Sequence, residues 1–124
     1  ILNHDPILNT QEQVNFLGGL GFESIVGTSF AIQEDTNGGG TSIGNLSPLS
    51  TLTEIPSTII ADTQLTNLSG LENLTIIADI EIFNNFSLAN FCVLQPWASN
   101  NPGASADWIV NGNAYNPTFT ELQN

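Results

Sequence analysis

Leucine and isoleucine recur through the middle of the chain at a spacing of about two dozen residues. Leu49, Leu52 and Ile55 are followed 22 positions later by Leu71, Leu74 and Ile77, and Leu94 and Trp97 stand 23 beyond Leu71 and Leu74. Within the repeat, Thr58 and Ile60 correspond to Ile80 and Ile82, and Leu65 and Leu68 to Leu88 and Phe91 with one residue inserted. Leu at i and i+3 marks a short turn or helical piece, and the alternation at Ile80 and Ile82 marks a strand. Asn84–Asn85 then closes a corner, where asparagine can bond backbone groups that a turn leaves unpaired. One such unit cannot cover its own apolar side, so successive units are expected to stack into a mainly β solenoid. The predicted repeat core is Leu49, Leu52, Ile55, Leu71, Leu74, Ile77, Ile80, Ile82, Leu94 and Trp97.

Segment 17–32, LGGLGFESIVGTSFAI, reads as an earlier and less regular copy. Leu20 stands where Leu71 does later, and Ile25, Phe30 and Ile32 supply the strand. The distance from Leu20 to Leu49 is 29 residues, so this copy carries an insertion, assigned to the polar, Gly-rich stretch 33–42 as an exposed loop. Thr10 lies three positions before Gln13, with Glu12 in the first turn, which predicts a short N-terminal capping helix over 10–17 that buries Val14 and Leu17. DWIVN at 107–111 makes a last strand before a turn-rich 112–118. The organisation expected is an arm or linker at 1–6, one solenoid domain at 7–121 with coils starting near 17, 46, 69 and 92, and a tail at 122–124.

Charge changes this picture. The chain has 124 residues, no Lys or Arg, 12 Asp and Glu, and a formal net charge of -12. The acids are spread along the sequence, which reads as a uniformly negative surface rather than an acidic tail. Nothing can neutralise phosphate, so nucleic acid and anionic lipid are excluded as partners. The hydrophobic fraction of 40% is ordinary for a folded domain. No stretch approaches the roughly 18 consecutive apolar residues of a membrane helix, so no membrane insertion is expected. The sequence opens at Ile1 without a basic segment followed by an apolar run, so any export signal is expected to have been removed or to lie outside it. A surface that repels itself at low ionic strength suits salty or divalent-rich water, which points to an extracellular or cell-surface setting.

Three segments, TQEQVNFLGGLGFESIVGTSFAI, LSGLENLTIIADIEIFNNFSLANFCVL and WIVNGNAYNPTFTEL, together resemble the receptor L-domain-like leucine-rich repeats of secreted Bacteroidetes proteins. The likeness runs over about residues 7–120. It implies a right-handed β-helix with short helical caps, set in a larger secreted or surface protein. The chain departs from that pattern in having no Lys or Arg and a single cysteine, Cys92. The resemblance carries over no catalytic residue and no binding specificity.

Few residues offer chemistry. His4 is the only histidine and sits in the N-terminal arm, and without Lys or Arg any oxyanion or phosphoryl group would need a metal or backbone amides. Cys92 follows Phe91 in an apolar segment and is expected to be a buried thiol, the alternative being a cysteine partner beyond Asn124 or in another chain. No enzymatic activity and no organic cofactor are expected. Glu34, Asp35 and Asn37, ahead of three glycines, form a candidate calcium site, although Gly39 and Leu46 stand where further oxygen ligands belong. The Asn-x-Ser/Thr triplets at Asn45, Asn67, Asn73 and Asn85 read as by-products of the repeat. Phe83, Phe86, Trp97, Trp108 and Tyr115 could stack on a sugar but are expected to fill the core or cap an end. The expected function is a non-enzymatic extracellular recognition or adhesion module binding a surface protein or glycan. The alternative is a self-assembling structural subunit of a surface fibre, with other copies as partner.

Overall fold

Ile-rich alternation builds five strands that pair in chain order, every neighbour parallel. The computed structural model describes residues 1–35 and 40–124. The strands are β1 (Ile7–Leu8), β2 (Ser29–Gln33), β3 (Glu54–Ala61), β4 (Ile76–Phe83) and β5 (Trp108–Asn111). Three short helices accompany them: α1 (Gln11–Gly19) between β1 and β2, α2 (Gln95–Asn100) between β4 and β5, and α3 (Phe119–Gln123) after β5. Single turns of 3-10 helix lie at Ser47–Leu49, Cys92–Leu94 and Ala104–Asp107.

Successive strand residues face opposite sides, so register decides what is buried. Phe30, Thr58, Ile80 and Trp108 lie side by side across β2 to β5, and so do Ile32, Ile60, Ile82 and Val110. These rows pack on leucines of the connections, among them Leu46, Leu49, Leu68, Leu71 and Leu94, in one continuous core. All ten predicted repeat-core residues belong to it. Thr58, the one polar member of the first row, donates its hydroxyl to the Pro56 carbonyl at 2.7 Å.

The mainly β, right-handed β-helix or leucine-rich-repeat-like solenoid expected from the repeat is not what forms. The protein is a single small sheet of five parallel strands with three helices. The 22-residue spacing is expressed as register, with Ile55 opposite Ile77 and Ile60 opposite Ile82. The rest of the expectation fails in the connections. A β-helix needs strands on more than one side, whereas the segments that carry the leucines fold as 3-10 turns, short helices and loops. Among the described residues, Asn67–Asn90 is the sole β-bridge between those segments. Asn45, Asn67 and Asn90 hold the turns, each side-chain oxygen accepting from the backbone N–H two residues on. A local bond of this kind competes with a strand ladder.

Thr10 caps α1, its hydroxyl accepting from the Gln13 N–H at 3.2 Å, and Val14 and Leu17 are buried. The helix continues to Gly19 and leaves Leu20 as its C-cap, 53% exposed. Leu20 is therefore not the inward counterpart of Leu71, because Leu17 already fills that side of the helix. The stretch 33–42 is not wholly an exposed loop: Gln33 ends β2, and Glu34 and Gly40 are buried.

Candidate functional site

The candidate calcium residues do different work from one another. Glu34 is buried, and its carboxylate accepts from the N–H groups of Thr41, Ser42 and Ile43 at 2.8–2.9 Å, tying down the far end of the loop. Asp35 is exposed and Asn37 lies outside the described residues. Among the described residues, no three His, Cys, Asp or Glu side chains gather as a metal site. No helix there is long and apolar enough to cross a membrane. His4 is exposed in the arm.

Beyond the strand ends the backbone turns through left-handed residues, Asp62, Asn84 and Gly112, at φ 57°, 58° and 70°. Asp, Asn and Gly tolerate this region best. At Gly112 a Cβ would also meet the Asn84 side-chain oxygen at 2.4 Å. The residues that follow form a polar ladder. Asn85 accepts from the Thr63 N–H and hydroxyl and donates to the carbonyl of Ile60 and the Asn113 side chain, while Asn113 donates to the Ile82 carbonyl. Asn84–Asn85 was legible as a corner in the sequence. Thr63 and Asn113 were not, because they lie 22 and 28 residues from their shared partner Asn85.

At the β5 end, aromatic rings close the core. Trp108 packs against Phe91 and Trp97, and Trp97 meets Phe119 of α3 edge-on at 5.8 Å between centroids. The Trp108 indole donates to the Pro117 carbonyl at 2.9 Å, so its polar atom is satisfied. Thr118 and Glu121 form a reciprocal capping box on α3. The N–H and hydroxyl of Thr118 hold the Glu121 carboxyl below its usual range. Desolvation, then the neighbouring Glu121 charge, push the Tyr115 phenol upward. Of the five aromatics considered for sugar stacking, Trp97 and Trp108 are buried, while Phe86 and Tyr115 are exposed. Cys92 is exposed too, against expectation. The 3-10 turn it starts sends Phe91 and Leu94 inward and leaves the thiol outside. It lines a groove of about 500 Å³ with Tyr115 and Glu121.

The β1 end is built differently. The arm runs beside residues 24–31: Leu2 exchanges backbone bonds with Ser24 and Val26, and the Ala31 N–H reaches the Pro6 carbonyl. Asp5 clamps it, accepting from the Thr28 hydroxyl at 2.8 Å and from the Thr28 and Ser29 N–H groups at 2.6 and 3.3 Å. Those bonds, the hydroxyl's first, lower the Asp5 pKa from its usual value. Gly27 permits the approach, since a Cβ there would sit 2.0 Å from the His4 carbonyl oxygen. Between arm and α1 opens a groove of about 710 Å³ lined by Leu2, Ile7, Phe16, Leu17, Leu20 and Phe22 among others. Of nine exposed large hydrophobic residues among those described, five (Ile1, Ile7, Phe16, Leu20 and Val26) lie in the first 26 positions. No sequence pattern singled out this groove, because its walls come from two segments that are each ordinary alone.

No family model, curated protein or solved structure matches the chain.

Proposed function

We propose that this chain is a non-enzymatic extracellular recognition module that docks a cell-surface macromolecule at the β1 end of its sheet. The observation that carries the reading is the gathering of Ile7, Phe16 and Leu20, all exposed, around one groove. Apolar side chains scattered singly over a surface need no explanation, whereas a contiguous patch with a groove marks an interaction site. The acidic, Lys- and Arg-free composition and the sequence resemblance to secreted proteins support the extracellular setting. The polar residues with the richest hydrogen bonding, Asn85, Asn113 and Glu34, are occupied in holding corners and loops, which supports binding rather than catalysis.

The test is a glycan array together with a panel of purified cell-surface proteins, probed with the wild-type chain and with a Phe16→Ser/Leu20→Ser variant. Binding to at least one panel member, lost in a variant whose circular dichroism is unchanged, is the expected result. Silence across both panels, or equal binding by the variant, would overturn the reading.

A further inference from the structure

We infer that the partner at the β1-end groove is a protein segment presenting an apolar side chain flanked by Lys or Arg. This rests on the recognition reading above and narrows it to one class of ligand. Three observations select that class over a glycan or a second copy of the chain.

The first is the groove's lining. Its walls are chiefly aliphatic and aromatic, and two of its polar groups are already committed. The Thr10 hydroxyl accepts from the Gln13 N–H, and the Gln13 side-chain oxygen accepts from the Asn9 N–H. A sugar exchanges many bonds to water for bonds to protein, and leaves its hydroxyls unpaired where donors and acceptors are scarce. A leucine or phenylalanine loses only water there.

The second is the rim. Glu12, exposed in the first turn of α1, lines the groove. Glu12 also offsets the positive end of the α1 dipole, which leaves that end unsuited to a further anion. An apolar floor with the Glu12 carboxylate at its edge complements an apolar anchor beside a cationic side chain, and arginine is enriched at such contacts.

The third is the charge of the whole molecule. With no Lys or Arg, this chain cannot supply the cation of any side-chain ion pair across an interface except through His4. A second copy would bring one net charge of -12 against another. A cationic segment is instead drawn in from a distance, and salt weakens that attraction.

The experiment uses short synthetic peptides that share a Leu-Phe centre and carry Lys/Arg, Ser or Glu flanks. Each is titrated onto the full chain by fluorescence anisotropy at low and high salt, alongside native mass spectrometry. The Lys/Arg peptide should bind at least about tenfold tighter than the Ser peptide, a difference salt narrows. Phe16→Ser and Leu20→Ser should each weaken it by about tenfold, and Glu12→Gln by a few-fold, with the Glu peptide silent. Phe16 and Leu20 are exposed, so both variants should keep the wild-type fold. If the Ser peptide binds as tightly, and only when Phe16 and Leu20 are intact, the groove is a recognition site and the cationic partner is wrong. If the Lys/Arg peptide binds Phe16→Ser and Leu20→Ser unchanged, it is adsorbing to general negative charge and the inference fails. A dimer abolished by those substitutions, with no peptide bound, would make a second copy the occupant and overturn it as well.

Discussion

The two ends of the sheet solve the same problem in opposite ways. At the β5 end, Trp97, Trp108 and Phe119 are buried against one another and α3 is capped over them. At the β1 end, a two-residue strand and α1 leave Ile7, Phe16 and Leu20 exposed around a groove. Both ends must terminate the same parallel sheet, so the difference is not imposed by the architecture. It shows that closing an end is within this sequence's means, and that the β1 end leaves apolar side chains uncovered.

The contrast breaks most decisively through substitution at each end. Trp108→Ala removes a buried ring and its indole bond, and is expected to cost about 3–5 kcal/mol in urea unfolding. Phe16→Ser, at 71% exposure, is expected to stay within about 0.5 kcal/mol. Comparable losses at both positions would show that Phe16 serves the core and that the ends do not differ.

A smaller effect separates the carboxylates that fasten the two ends. Asp5 and Glu121 both ionise more readily in the folded chain, because each accepts bonds from threonine. Their contribution is therefore complete above the ordinary values of 3.8 and 4.5, and is lost as pH falls through the depressed ones. Asp5→Asn and Glu121→Gln should each flatten the acid limb of a stability–pH series. Asp5→Asn alone should speed hydrogen exchange at the Thr28 amide. A variant whose acid limb superimposes on the wild type would show that its carboxylate fastens nothing.

The smallest expected effect concerns the solvent side of the open end. Leu20→Ser should lower binding of the dye ANS with little change in stability, since Leu20 caps α1 without entering the core. Unchanged dye binding would place the accessible apolar surface elsewhere, at Phe86 or Ile109.

By itself the sequence determined which side of α1, β3 and β4 faces inward. Alternation at Ile80 and Ile82 and the 22-residue offset to Ile60 set the register of β3 on β4. Thr10 marked the start of α1. These are local or strictly periodic signals, carried by side-chain direction and by one capping bond. The tertiary structure decided what each buried side meets. The leucine-bearing connections became turns and short helices rather than further strands, Leu17 displaced Leu20 from the interior, and Cys92 was turned outward. It also joined Thr63, Asn85 and Asn113 into one ladder and brought the arm to α1 to make the groove. Such pairings depend on segments two dozen or more residues apart competing for the same space and the same hydrogen bonds. A periodic pattern records that a residue is buried, and only the packed chain settles against what.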